Sequence, residues 1–176
     1  MSNDAIFINY SIEKLEQYLT RVEACVTKLT PDQVWARNAG NENAIGNLLL
    51  HLAGNVRQWI LCGVGGETDT RQRQTEFDAR GFDARGGTAP EELLARLRST
   101  VEAANGVIGS LTAARLSESS TIQGYDVTVL QAVYHVVEHF SGHTGQIIFA
   151  TKLLTGEDLG FYKHLKVVQP HAEKTP

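Results

Sequence analysis

Ile8, Ile12, Leu15, Leu19, Val22, Val26 and Leu29 stand alternately four and three residues apart. That spacing leaves a narrow apolar seam along one side of a helix, and such a helix must bury its seam against another. It predicts a first helix over residues 4–29. Related patterns return three times. Ile45, Leu49, Leu52, Val56, Trp59 and Ile60 mark a second helix over 44–62. Leu94, Leu97, Val101, Ala104, Ile108 and Leu111 mark a third, opening at residue 88. Val129, Ala132, Val133, Val136, Phe140, Ile147, Ala150 and Leu154 mark a fourth, from Thr128 to Gly156. Four long amphipathic helices in one chain predict an all-α fold, a four-helix bundle. The stretch between the second and third is long, so the bundle needs a long crossover there.

Local signals agree with these boundaries. Thr30-Pro31-Asp32-Gln33, Thr88-Ala89-Pro90-Glu91 and Thr128 with Gln131 each read as a capping box, and Gly156 reads as a helix stop. Trp35 is expected to close one end of the core, with a Gly/Asn-rich loop at 38–43. The crossover, 63–87, carries Gly-Val-Gly-Gly and then Asp69, Arg71, Arg73, Glu76, Asp78, Arg80 and Arg85. No Lys-Ser/Thr follows the glycines, so they do not make a phosphate loop. A connection of this length is either functional or disordered. It reads as a solvated crossover or, alternatively, as a segment whose Arg71 or Arg73 folds over a site and holds an anionic substrate. Residues 122–127 look extended, and 157–165 look like a surface turn. Residues 1–166 are expected to be one domain, and 167–176 a polar, mobile tail.

With 176 residues, 42% hydrophobic and 20% charged, the chain has the composition of a soluble globular domain. A formal net charge of -4 argues against a nucleic-acid partner, which calls for a basic face. No run is long enough for a membrane span and no signal peptide is evident at the start, so a cytoplasmic location is expected. Cys25 and Cys62 fit no metal spacing and read as buried thiols.

The chemistry lies on the fourth helix. His135, His139 and His143 are four residues apart, one slowly drifting stripe on a helix. Positions eight apart are separated by about 12 Å, too far to share an ion bound at about 2.0 to 2.1 Å. One adjacent pair can share it. Counting from Val129, the drift puts His143 nearest the apolar centre and His135 furthest toward solvent, which favours the pair His139 and His143. A third ligand must come from elsewhere. His51, flanking the buried face of the second helix with Asn55 and Gln58, is the candidate, because bundles build metal sites from facing helices. His164 and His171 have no partner at ligand spacing and read as surface residues.

Two stretches carry a family resemblance. Asn47-Leu-Leu-Leu-His51-Leu-Ala-Gly-Asn55-Val-Arg57-Gln-Trp59, followed by Asp69-Thr-Arg71-Gln-Arg73 and Glu76-Phe77, resembles the first half of the DinB family of metal-binding helical bundles. His139-Phe-Ser-Gly-His143-Thr-Gly145-Gln146-Ile147 resembles that family's second signature. The resemblance spans about residues 6–154. It implies a four-helix bundle, commonly a homodimer, holding nickel or zinc through residues that fall on His51, His139 and His143. It also implies, by analogy with some members, a transferase joining a low-molecular-weight thiol such as bacillithiol or mycothiol to an electrophile.

In that reading three neutral imidazoles leave an ion with open positions, the arrangement of catalytic rather than structural sites. Asn55 and Gln146 are candidates to orient imidazoles or bound water, and Arg57, Arg71 or Arg73 to hold a carboxylate. His135 is a candidate proton carrier or outer hydrogen-bond donor. Two other readings stand beside it. One is a metal-dependent hydrolase with Glu76 or Glu138 as base, although Glu138 is expected on the side away from the histidines. The other is a non-catalytic dimerisation or binding module with a structural or vestigial metal site.

Overall fold

The computed structural model describes residues 2–81, 88–163 and 165. The first seam becomes α1 (Asn3–Val26), and Ile8, Leu15, Leu19, Val22 and Val26 are buried along it as expected. A single turn, α2 (Pro31–Val34), follows. Thr30 accepts a hydrogen bond from Gln33 N while the Gln33 side chain accepts from Thr30 N, so the reciprocal cap forms. The second long helix is α3 (Ile45–Val56), which continues without a break into π-helical winding over Arg57–Val64. The wider winding ends where Gly65 N donates to Ile60 O, five residues back, at 2.8 Å.

Part of the crossover is ordered as a short helix, α4 (Arg73–Asp78), that the apolar pattern does not announce. Tertiary contacts hold it. Asn47 Nδ2 donates to the carbonyls of Glu76 at 2.8 Å and Ala79 at 3.0 Å, while Asn47 Oδ1 accepts from Arg37 at 2.5 Å and from Ala44 N at 3.1 Å. A fully buried Asn thus has both ends of its amide engaged.

The third long helix is α5 (Pro90–Gly109). Here the expected capping box does not form: Ala89 occupies the cap position with no side-chain hydrogen bond, and Pro90 at the first helical position marks the start instead. Thr88 instead offers its carbonyl to Trp35 Nε1 at 3.3 Å, which ties the half-buried Trp35 to this end of the core. A turn, α6 (Ala113–Leu116), leads to a hairpin of β1 (Ser119–Ile122) and β2 (Tyr125–Thr128), paired antiparallel with Ile122 opposite Tyr125. The extended reading of 122–127 was therefore half of a hairpin.

The last helix, α7 (Val129–Thr155), opens on the Thr128–Gln131 capping box and closes at Gly156 with φ 70°, a left-handed cap as expected. Val129, Val133, Val136, Phe140 and Ile147 are fully buried, each contributing about 1.5 to 3 kcal/mol of apolar transfer. Ala150 and Leu154 are only partly buried.

The helices form the all-α bundle. α1 packs on α5 and α7, and α3 packs on the same two, so α1 and α3 lie on one diagonal and α5 and α7 on the other. That order makes α3 and α7 neighbours. His51 therefore faces the histidine stripe. Cys25 and Cys62 are buried free thiols. No helix among the described residues is long and apolar enough to cross a membrane. His164, His171, Arg85 and the tail from 167 lie outside the described residues.

Candidate metal centre

His51 sits on α3 among buried residues, 5% exposed. His139 and His143 lie one turn apart on α7, half-buried. One ring nitrogen from each of the three lies within 4.8 Å of the others. His51 Nε2 and His139 Nε2 are 3.1 Å apart. Two nitrogens bound to one zinc at about 2.0 to 2.1 Å lie about 2.8 to 3.4 Å apart for bond angles between right and tetrahedral.

The outer nitrogens decide which way the rings present themselves. His51 Nδ1 faces Glu76 Oε2 at 3.0 Å. Arg71 grips the same carboxylate through Nε to Oε1 at 2.7 Å and Nη2 to Oε2 at 2.8 Å. Burial alone would push the Glu76 carboxyl up, but the hydrogen bonds and charges of Arg71 and His51 outweigh it and hold it below its usual value. The carboxylate is ionised and accepts, so His51 Nδ1 carries the proton and Nε2 turns a lone pair toward His139. His143 Nδ1 likewise donates to Gln146 Oε1 at 2.7 Å, which leaves its Nε2 free of a proton. His139 Nδ1 is buried with no hydrogen-bond partner among the described residues.

All three α7 histidines are poised as neutral rings. Burial, reinforced by the nearby His143, His51, His135 and Arg71, lowers His139 to about 3. Burial lowers His143 against the pull of its Gln146 hydrogen bond, and burial lowers His135 against the attraction of Glu138. The triad of His51, His139 and His143 can coordinate a divalent metal ion. The donor set fits: imidazole nitrogens converging from two helices, with Nδ1–H groups on His51 and His143 turned outward to acceptors.

Gly54 makes the support of His51 possible. It is one turn along α3 from His51 on the same face, and a Cβ there would overlap the Glu76 carboxylate and come within 2.8 Å of Arg71 Nε.

The other residues singled out in the sequence separate into two groups. Gln146 touches the triad through His143. Asn55 Nδ2 reaches His135 Nε2 at 3.4 Å. His135 is outside the triad, half-buried against the Trp59 ring at 4.0 Å between centroids. Arg71 is turned inward to Glu76, with Nη1 donating to Gln58 Oε1 at 2.8 Å, and its Nη2 reaches the outer side of His51, 3.1 Å from Nδ1 and 3.4 Å from the carbonyl oxygen, rather than the cavity over the histidines. Arg73 lies over the Phe77 ring at 4.8 Å, and Arg57 pairs with Glu67 at 2.7 Å. A cavity of about 450 Å3 opens over His135, Glu138, His139, Gly142, His143 and Gln146. Glu138, expected on the side away from the histidines, therefore stands at the mouth of their cavity.

Glu76 as the partner of His51, and Asn47 as the anchor of α4, escape the reading of helical periodicity. Glu76 is 25 residues from His51 in a segment with no apolar repeat; the family resemblance includes it and the hydrolase reading names it as a base, but neither points to it as the partner of His51.

Comparison with known proteins places the chain. Over residues 2–169 it matches the family described as Protein of unknown function (DUF1572). The chain belongs to that family. This DUF1572 protein also shares its fold with solved structures. A conserved protein from Enterococcus faecalis aligns over 85% of this chain and 97% of its own, with TM-score 0.66 and 17% identity. A DinB-like protein from Bacillus subtilis aligns over 87% and 97%, with TM-score 0.63 and 14% identity. One from Bacillus cereus aligns over 87% and 93%, with TM-score 0.63 and 15% identity. The fold is DinB-like, as the resemblance implied. Among the curated proteins no relative matches.

Proposed function

We propose that this DUF1572 protein binds one divalent ion, nickel or zinc, through Nε2 of His51, His139 and His143, and uses it to transfer a low-molecular-weight thiol to an electrophilic carbon. The observation that carries the reading is the convergence of three imidazole nitrogens within 4.8 Å beneath an open cavity. Three neutral ligands leave the ion's double charge uncompensated, and an ion so bound favours the thiolate over the thiol at neutral pH.

The chain's own residues supply the rest. Glu76 and Gln146 keep His51 and His143 in the tautomer that turns Nε2 inward. Glu138 and His135 line the cavity and are the bases within it, and the Asn55 side-chain amide lies 3.4 Å from His135 Nε2. The thiol proton passes to one of them, sulfur bonds to the carbon, and the leaving group departs with its bonding pair. Gly142 leaves the mouth open, since nothing lies within 4 Å of where its Cβ would stand. The same reading takes the protein to be a cytoplasmic homodimer, for which the exposed Phe149 and Leu153 of α7 offer apolar surface.

The test is conjugation of a small thiol to 1-chloro-2,4-dinitrobenzene by nickel- and zinc-loaded protein. Turnover above the metal-free protein, lost in His139→Ala, supports transfer; equal rates with and without metal would remove it. The placement of Glu138 at the cavity favours a second reading, a hydrolase in which Glu138 accepts the proton of a bound water. Glu76 does not serve there, because its carboxylate is buried behind His51 and engaged by Arg71. Ester hydrolysis abolished by Glu138→Gln, with no thiol conjugation, would decide for it.

A further inference from the structure

A second cavity, of about 400 Å3, lies on the other side of Glu76. It is lined by Arg57, Thr70, Arg71, Gln72, Thr75 and Arg96, with Glu76 at its wall. It shares no residue with the cavity over the histidines. They are joined through Glu76 and Arg71, which both reach His51 Nδ1, the nitrogen turned away from the other two histidines.

The lining is cationic: three guanidinium groups against one carboxylate, on a chain whose formal net charge is -4. The three arginines are not alike. Arg71 is committed to Glu76, Gln58 and His51. Arg57 holds Glu67 in an exposed pair, an arrangement worth little to stability and readily exchanged. Arg96 is exposed, and its guanidinium has no hydrogen-bond or ion-pair partner among the described residues. Thr75 donates to Gln72 O, but the Gln72 side-chain amide has no such partner among the described residues. Donors therefore outnumber acceptors on the wall of a concavity large enough for a small molecule. A planar guanidinium fork matches the two oxygens of a carboxylate or phosphate.

We propose that this cavity binds a small anion carrying a carboxylate or phosphate group, gripped by Arg96 and Arg57 against the back of the Arg71–Glu76 pair. The site goes beyond the metal chemistry and needs no metal to form. An anion that reaches Arg71 competes with Glu76 for the same guanidinium, so occupancy is sensed at His51, which Glu76 and Arg71 both contact.

The experiment is calorimetric titration of the metal-free full chain with inorganic phosphate and, separately, with malonate, at constant chloride. At least one binds with a Kd below about 1 mM, and the preferred anion tells phosphate chemistry from carboxylate chemistry. Arg96→Gln weakens binding about tenfold or more, the usual loss for one charge-assisted hydrogen bond, and Arg96→Lys by less. Arg96 is exposed, so both variants keep the wild-type thermal midpoint. His143→Ala leaves anion binding unchanged. No binding below about 1 mM for either anion overturns the proposal, as does wild-type affinity in Arg96→Gln or loss of binding in His143→Ala. The last result would place the anion at the histidines instead, and none of these outcomes depends on whether thiol transfer is the reaction.

Discussion

Glu76 is the residue on which the metal site most depends without belonging to the triad. Its carboxylate sets the tautomer of His51 and is itself fixed by two hydrogen bonds from Arg71. Outer partners of this kind typically carry about 10- to 100-fold in metal affinity. Glu76→Gln is therefore expected to weaken zinc by about that factor, read by competition with a chromogenic chelator; unchanged affinity would show that His51 is oriented by packing alone. Gly54→Ala tests the same support from the other side, because the new methyl group collides with the carboxylate. Overpacking of this sort costs about 1 to 3 kcal/mol, expected as a lower urea midpoint together with weaker zinc binding. His139 and His143 could be paired in the sequence because helix spacing sorts the histidines of α7, whereas His51 needed the facing helix and the family resemblance to single it out. Glu76 could not, because its partner is 25 residues away and its helix, α4, is held by the Asn47 amide rather than by any local repeat.

At the scale of elements, the long helices were legible wherever an apolar stripe coincided with a chemical boundary. Thr128 and Gln131 form the reciprocal cap that the sequence suggests, and Gly156 takes the left-handed conformation a stop requires. At α5 the same reasoning misplaced the cap, because Pro90 fixes the first turn and leaves Thr88 outside it. The π-helical winding over Arg57–Val64 had no signature, since its apolar residues continue the α3 pattern. It nevertheless shapes the site, because it carries Trp59, whose ring packs on His135. Removing the reciprocal cap of α7 by Thr128→Ala is expected to cost about 1 kcal/mol in urea unfolding. Metal affinity should not move, since the cap is about three turns from His139. A change in affinity as large as that of Glu76→Gln would mean the cap sets the register of the histidine stripe.

For the whole molecule, the site should make stability depend on pH and metal together. His139 is lowered from 6.5 to about 3 in the folded protein, so between those values the unfolded chain binds a proton that the folded chain refuses. Stability of the metal-free protein is then full above about 6.5 and falls as the pH drops toward about 3. The lowered His143 acts in the same sense. Glu76, also lowered, contributes above its unfolded value and loses that contribution in acid. A lower thermal midpoint at pH 5 than at pH 7.5 is expected, and equal midpoints would contradict the burial of neutral rings.

The measurement that bears most directly on a metal site built between two helices is elemental analysis of the purified, tag-free protein beside His51→Ala and His143→Ala. About one nickel or zinc per chain in the wild type, lost in both variants, is the predicted result, because α3 and α7 each contribute donors that the other cannot replace. Wild-type protein that takes up neither ion after incubation with each, or variants that hold as much metal as the wild type, would contradict it.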